Sequence, residues 1–456
     1  MMTTTNANVR ILSLNCWGLK YVAKNRRERI RAISEELAAA NYDLIGLQEL
    51  WVFADYELVR AKLSKKLPFS KFFYSGALGA GLALFSRFPI LATSVNPYSL
   101  NGSPLDVAGG DWFVGKSAAS IIIDHPVLGE VEIFNTHLHA RGGEEGPEER
   151  RAHRLVNAWE LTKLIRRSAE LGRYVIAMGD FNSIPTTLPV TLLREHALLI
   201  DAWEQSRESL PRPRSVISVR DIPSPQQAIY DYGVTADSPV NSYSAGKPLD
   251  VIARRHQGKR LDYIFFRQPV FRHSSTRHVL KSTEASVVLT NKIPGYDFSF
   301  SDHFGLEATL QIEQSHVSDA SHDIDSSMLH SPASFSESRL TDAALSTTLQ
   351  ALIARYRSSR TQSHVQLLIF VACLCILIVA IVSSAWLPRS WINPIFLLFT
   401  IFVSWLGTTM LYAGFIFGNW EVNALTTVIE ELELLRQQGP GTRGGEGGDQ
   451  AVSNPT

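Results

Sequence analysis

The chain has 456 residues, and its 44 Lys plus Arg balance 44 Asp plus Glu, so the formal net charge is zero. Residues 1–312 hold five more basic than acidic side chains and the remainder five fewer; that excess argues against dense nucleic-acid phosphate tracking but suits docking on an anionic surface. Only three cysteines occur, two of them in an apolar run, which excludes a disulfide framework or a zinc site, and MMTTTNANVR at the start has no apolar signal core, so this end is expected in the cytosol.

Residues 9–14 form an apolar run that reads as a strand and delivers Asn15 to its end. Residues 26–41 are expected to be an amphipathic helix, with Ile30, Ile33 and Leu37 on one stripe. A second buried strand, 44–47, ends in Gln48-Glu49, where a carboxylate is either a hard-cation ligand or an ordinary strand end. Trp51, Phe53 and Tyr56 follow, as core or as the border of a lipid-facing cleft. Gly76, Gly79 and Gly81 come before the strand 82–85, which reverses the order a nucleotide-binding loop requires. After the loop GGDWFVGK (109–116) come strands at 117–123 and 131–136, the second ending in His137 and His139, and a long helix at 147–171.

The run YVIAMGDFNS (174–183) takes a buried strand into Gly179 and then Asp180 and Asn182. Spaced by two, these side chains share a face if the segment is extended, offering a carboxylate and an amide to one ligand; the alternative is an Asx turn. Residues 205–260, rich in Pro, Ser and basic side chains, read as long surface loops. Strand 261–266 contains Asp262, costly there unless paired, and Ser301-Asp302-His303 precedes a last strand at 304–312. Asn15, Glu49, His137, Asp180, Asn182, Asp262, Asp302 and His303 thus all lie within or at the ends of strands. One sheet rim would gather acids for a divalent cation and histidines for proton transfer.

Residues 313–350 are poor in large apolar side chains and read as a linker. Residues 367–387 and 395–417 contain no charge, and each run is long enough to cross a hydrocarbon layer of about 30 Å. The turn between them is short, so they form a helical hairpin; Arg355, Arg357 and Arg360 before it place both its ends in the cytosol. The expected organisation is a catalytic domain (1–312), a linker with a short helix (313–364), two membrane helices (365–418) and a cytosolic tail (419–456) with a short helix at 423–436 and a disordered stretch from Gly439.

Together Asn15, Gln48-Glu49, Thr136-His137, GDFN (179–182), RLDY (260–263) and SDH (301–303) resemble the endonuclease/exonuclease/phosphatase superfamily. The resemblance implies an α+β fold, the DNase I-like four-layer αββα sandwich, here followed by the hairpin. GLALFSRFPI (81–90), GGDWFVGK, THLHA (136–140), AHRLVNAWEL (152–161) and TADSP (235–239) narrow it to the neutral sphingomyelinases and fungal inositol phosphosphingolipid phospholipases C. That resemblance implies Mg²⁺-dependent release of ceramide and a phosphorylated head group from a sphingolipid. Glu49 would be the main Mg²⁺ ligand, with Asn15 and Asp302 nearby. His303 would be the general base, oriented by Asp262, while His137 and Asn182 would meet the phosphoryl oxygens. Asp180 would position either the water or His137. Asp111 and Lys116 match a switch that opens the site when anionic phospholipid is sensed. The expected location is an endoplasmic reticulum or mitochondrial membrane, with the catalytic domain and C-terminus in the cytosol. A nuclease or apurinic endonuclease shares the catalytic motifs but has no use for a membrane hairpin, and a non-catalytic membrane adaptor does not explain eight catalytic candidates together.

Overall fold

Alternation of apolar side chains decides how the strands stack. In the computed structural model, which describes residues 7–107, 109–140, 148–208, 222–270, 276–316, 338–387 and 389–438, they form two six-stranded sheets. The strands are β1 (Ala7–Asn15), β2 (Leu44–Gln48), β3 (Phe69–Phe73), β4 (Leu82–Ser86), β5 (Ile90–Pro97), β6 (Ser117–His125), β7 (Gly129–His137), β8 (Tyr174–Asp180), β9 (Ile200–Asp201), β10 (Asp262–Arg267), β11 (Thr276–Val288) and β12 (Gly305–His316). The first sheet runs β11-β12-β1-β2-β4-β3 and the second β5-β6-β7-β8-β10-β9.

Along β1, Val9 and Ile11 point between the sheets, while Leu12 and Leu14 point to the opposite face. That outer face is covered by α1 (Arg26–Ala39), whose Ile30, Ile33 and Leu37 pack on it, and by α2 (Phe53–Leu63). Tyr56 of α2 is buried against Phe72, 5.2 Å between ring centroids, so this aromatic belongs to the core. On the second sheet Ile176 and Met178 face inward, while Val175 and Ala177 meet Leu155 and Trp159 of α3 (Glu148–Glu170). Each fully buried Leu or Ile contributes about 1.5–3 kcal/mol. The expected four layers are therefore present.

The chain beyond β12 differs from its expected organisation. Residues 313–316 extend β12, and 317–337 lie outside the described residues. From Asp342 a single helix, α4 (Asp342–Ser383), runs through the last part of the expected linker, 342–364, into the first apolar run. Leu345, Leu349 and Leu352 recur at helical spacing and join the α3 core, which a reading by average composition overlooks. The return is α5 (Ile392–Leu411), a π-helical turn (Tyr412–Phe417) and α6 (Gly418–Gln437). The expected helix at 423–436 lies within α6, and its Leu425, Val428 and Leu432 enter the same core; the Gly-rich stretch from Gly439 lies outside the described residues.

A buried polar cluster fastens this docking. Glu421 accepts hydrogen bonds from Arg355 Nε (2.7 Å), Ser359 Oγ (2.6 Å) and His153 Nε2 (2.6 Å). Gly102 N donates to His153 Nδ1 at 2.8 Å, which leaves the ring proton on Nε2. Away from the domain, Leu368, Ile378, Leu398 and Trp405 are exposed, and both helices are long and apolar enough to cross a membrane.

Candidate active site

Strand pairing assembles the site. Asn15 lies beside Gln48 across the parallel pair β1–β2, which sets Glu49 next to it, while β8 holds Asp180 between His137 of β7 and Asp262 of β10. Gly179 makes that approach possible: its φ is +146°, and a Cβ there would lie 2.0 Å from Thr136 O. Asn135 bridges the sheets below the rim, donating to Leu47 O (2.9 Å) and Ala83 O (3.0 Å) and accepting from Gln48 Nε2 (2.7 Å).

Asn15 Nδ2 donates to Glu49 Oε1 (3.1 Å) and Asp180 Oδ2 (3.0 Å), so one amide spans both sheets. His303 Nδ1 lies 2.8 Å from Asp262 Oδ2, and its Nε2 lies 3.8 Å from Asp180 Oδ2. Burial alone would lower the His303 imidazole, but Asp262, Asp180 and Asp302 outweigh it and carry the pKa well above the ordinary value. Burial, opposed by His303, pushes Asp180 up to about 6. It also pushes Glu49 up to about 7, with the charge of Asp302 adding, and raises Asp302 as well.

All eight rim residues converge, with two departures from expectation. Asn182 is in the left-handed region (φ 47°), and its backbone N donates to Asp180 Oδ1 at 2.9 Å, which is the Asx turn and not the extended segment. Its side-chain Nδ2 donates to Leu138 O at 3.0 Å, so in this arrangement it is not free for a phosphoryl oxygen. His137 Nε2 lies 3.1 Å from Lys116 Nζ and 3.5 Å from Asp180 Oδ2, while its buried Nδ1 has no hydrogen-bond partner among the described residues. Burial first and Lys116 second hold His137 well below its ordinary pKa, so the ring is neutral.

Lys116 is almost wholly buried, donates to Leu138 O (2.7 Å) and pairs with Asp111 at 3.2 Å. Burial would raise the Asp111 carboxyl, but Lys116 and His139 reverse this and hold it well below the carboxylate range. The loop carrying both residues also touches the hairpin. Trp112 meets Tyr412, 6.3 Å between ring centroids, and Trp420 Nε1 donates to Ser99 O at 2.8 Å.

Two features were not foreseen. Arg29, fully buried, donates to Cys16 O (2.7 Å), Trp17 O (2.6 Å) and Phe300 O (3.1 Å), tying together the segments that carry Asn15 and Asp302. A charged residue adjoining the apolar stripe Ile30–Ile33–Leu37 is the signal that would have found it. Part of 205–260 is not surface loop: Thr235 Oγ1 accepts from Leu261 N and Asp262 N, and Ala236 pairs with His303. Hydroxyl side chains satisfy the backbone there, which allows burial.

Asp180, Asp262 and His303 have ligand atoms within 4.8 Å of one another and could hold a cation. They are, however, already partnered: Asp262 holds His303 Nδ1 and Asn15 Nδ2 donates to Asp180, with His303 Nε2 facing Asp180 at 3.8 Å. Glu49 and Asp302 are the two carboxylates whose charges oppose each other, and with the Asn15 amide they offer hard oxygen donors suited to a divalent cation.

Two mixed sheets with acidic and imidazole side chains gathered on one rim are the arrangement of the DNase I-like fold class. The sequence matches the Endonuclease/Exonuclease/phosphatase family over residues 12–303, and the chain belongs to that family. It is 34% identical over 430 residues to the inositol phosphosphingolipids phospholipase C of Schizosaccharomyces pombe, covering 93% of each chain. The Saccharomyces cerevisiae protein of the same name is 31% identical, over 93% of this chain and 89% of that one. Sphingomyelin phosphodiesterase 2 of Mus musculus is 31% identical, over 69% of this chain and 68% of that one. Relatives of this group are phosphoric diester hydrolases, and the chain is an enzyme of that kind.

Proposed function

We propose that the protein is a membrane-anchored, Mg²⁺-dependent sphingolipid phosphodiesterase of the phospholipase C type. The observation that carries this reading is the docking of the hairpin onto the catalytic unit: core residues of α4 and α6 are continuous with two apolar helices, and the contacts of Tyr412 and Trp420 bring their border to the loop beside the site. A substrate held in a bilayer fits that arrangement; a duplex in solution gives it no role.

In this reaction water attacks phosphorus and the bond to the ceramide oxygen breaks; ceramide leaves as the alcohol, its oxygen taking up a proton, and the head group keeps the phosphate as a monoester. His303 Nε2, once the ring has given up its raised-pKa proton and is neutral, takes the proton of the attacking water, while Asp262 fixes the ring by holding Nδ1–H. Asp180, oriented by Asn15 and by the backbone of Asn182, aligns the water between His303 and His137. Lys116, one bond from His137, supplies positive charge where negative charge builds on the phosphoryl oxygens. Glu49, Asn15 and Asp302 would hold Mg²⁺, which when bound stabilises charge on the leaving oxygen.

The Asp111–Lys116 pair is the regulated element, and anionic phospholipid is its activator. A two-state loop responds only to a ligand that binds one state better. The contact of Trp112 in this loop with Tyr412, which belongs to the apolar run 395–417, supports a lipid surface acting on it. The host membrane is that of the endoplasmic reticulum or mitochondria, with the catalytic domain and C-terminus in the cytosol. The test is to assay detergent-solubilised full-length protein, with and without Mg²⁺, against sphingomyelin, inositol phosphoceramide and abasic DNA. Metal-dependent release of a phosphorylated head group supports the proposal. DNA cleavage without lipid hydrolysis refutes it in favour of a nuclease, and no turnover with any substrate refutes it in favour of an adaptor.

A further inference from the structure

The loop between β1 and α1 is built in a way that the chemistry of the rim does not require. Val22 N and Ala23 N both donate to Leu19 O, at 3.2 and 2.9 Å, which closes one turn. Arg29 Nε donates to Lys24 O at 2.9 Å, so the turn is pinned to the same buried guanidinium that ties the Asn15 and Asp302 segments together. The tip held out in this way is apolar: Tyr21 is 89% exposed and Val22 64%.

A single apolar side chain on a surface is ordinary. Here two adjoin on a fixed turn, and cations surround them. Lys20, Lys24 and Arg27 are exposed and have no ion-pair partner among the described residues, and Glu28 is the only acid between Leu19 and Ile33. Lys20 Nζ lies 5.2 Å from the centroid of the Tyr21 ring. A phenol ring and an aliphatic side chain flanked by Lys and Arg match the head-group layer of a bilayer: the ring has an apolar body and a polar end, and the cations meet anionic head groups.

The position of the tip favours that occupant over a soluble acidic partner. Gly18 N donates to Glu49 O (2.8 Å) and Leu50 N to Gly81 O (2.9 Å), so the loops after β1, after β2 and before β4 lie side by side on the rim. The loop before β4 carries exposed Tyr74 and Leu78, and Leu78 N donates to Phe113 O at 3.0 Å. Next to Phe113, Trp112 meets Tyr412 of the hairpin. Apolar side chains thus follow one another across the rim from the hairpin toward Tyr21.

We infer that the loop between β1 and α1 is a second membrane foothold: Tyr21 and Val22 enter the head-group layer of the leaflet that holds the hairpin, and Lys20, Lys24 and Arg27 bind its anionic lipids. The inference rests on the membrane-anchored reading above and deepens it. Held at the hairpin on one side and at this tip on the other, the rim between them faces the leaflet.

The test uses full-length protein in nanodiscs, in a Cys375→Ser background that removes the exposed thiol. An environment-sensitive fluorophore is attached at Val22→Cys and, for comparison, at Leu171→Cys. Leu171 is 63% exposed but precedes β8, so it stands at the end of that strand away from Asp180, about 20 Å from the rim. The discs hold phosphatidylcholine with or without phosphatidylserine and a lipid carrying a nitroxide near its head group, and quenching is read without substrate. The expected result is a blue-shifted, quenched label at position 22 and an unquenched one at 171. Replacing Lys20, Lys24 and Arg27 together by Gln should lower the docked-to-free ratio of the tip about fivefold per charge with phosphatidylserine present, and leave it unchanged in phosphatidylcholine alone. An unquenched label at position 22 overturns the inference, and so does equal quenching at both positions or quenching indifferent to the three substitutions. Sphingolipid hydrolysis by the same preparations separates the two readings. Turnover beside an unquenched label refutes the foothold and leaves the membrane-anchored enzyme standing, whereas a quenched label at position 22 without turnover supports the foothold and refutes the enzyme reading.

Discussion

Replacing Glu421 by Gln tests whether the hairpin is bolted to the catalytic unit. The carboxylate is nearly fully buried and bonded to Arg355, Ser359 and His153. Burial alone would raise its pKa, but His153, Arg355 and Ser359 reverse this and bring it from 4.5 down to about 2. At 1.36 kcal/mol per pKa unit, the ionised form contributes about 3 kcal/mol to the docked state. Because the folded pKa is depressed, that contribution is fully present above the unfolded value of 4.5 and is lost as pH falls toward 2. Glutamine keeps one acceptor but sets an NH₂ against neighbours that all donate. Hydrogen exchange in detergent micelles reads the outcome. Amides of 349–359 and 421–432 should exchange up to about a hundredfold faster in Glu421→Gln at pH 7, and those of β1 and β8 should change less. Unchanged exchange at pH 7, or a wild type whose docking is insensitive to acid between pH 4.5 and 2, would show that these bonds do not hold the hairpin.

Four further outcomes follow from the same contacts. His303→Ala should lose about two to four orders of magnitude in kcat while remaining folded, with a lower unfolding midpoint because buried Asp262 loses its partner, and near-normal turnover would remove it as the base. Glu49→Gln should weaken Mg²⁺ affinity yet raise the melting temperature in chelator, since it relieves repulsion with Asp302; an unchanged Mg²⁺ titration counts against the assignment. Lys116→Ala should abolish stimulation by phosphatidylserine or cardiolipin while Mg²⁺ affinity is retained, and wild-type stimulation would return Asp111 and Lys116 to a structural pair. A chain ending at Ile312 should melt lower and aggregate, because it uncovers the α3 face that Leu345, Leu352, Leu425 and Leu432 bury; joining Ser363 to Gly418, which lie in contact, should remove the apolar spans and keep that face covered. Equal melting temperatures for the two truncations would refute the shared core.

The candidate rim was legible because its residues sit at strand ends, where a period-two pattern stops at a polar side chain. Asn15, Glu49, Asp180, Asp262 and His303 each carry that mark, and strand pairing brings them together. What stayed hidden depends on contacts distant in sequence. Glu421 looks like one acid among several on an amphipathic helix, and only the docking of His153, 268 positions away, makes it central. A short helix was expected within 313–364, but its extent and packing were masked by averaging, since a few leucines at the right spacing suffice to bury one face when α3 is there to receive it. Asn182 shows a third limit: its spacing from Asp180 was read as extended backbone, whereas a left-handed φ turns it away.

The continuity of α4 sets how this enzyme can meet its substrate. From Leu352 in the core to Leu368 on the apolar surface the helix advances without interruption, about 24 Å at 1.5 Å per residue. With the apolar runs in a bilayer, that segment is a mast, not a leash: the rim stands at one height and one tilt above its own leaflet. Such an enzyme cannot swing across to an opposing membrane, and it is supplied by lipids diffusing laterally beneath it. Its rate should therefore follow the mole fraction of substrate in the surrounding leaflet and stay indifferent to the amount of lipid in separate vesicles.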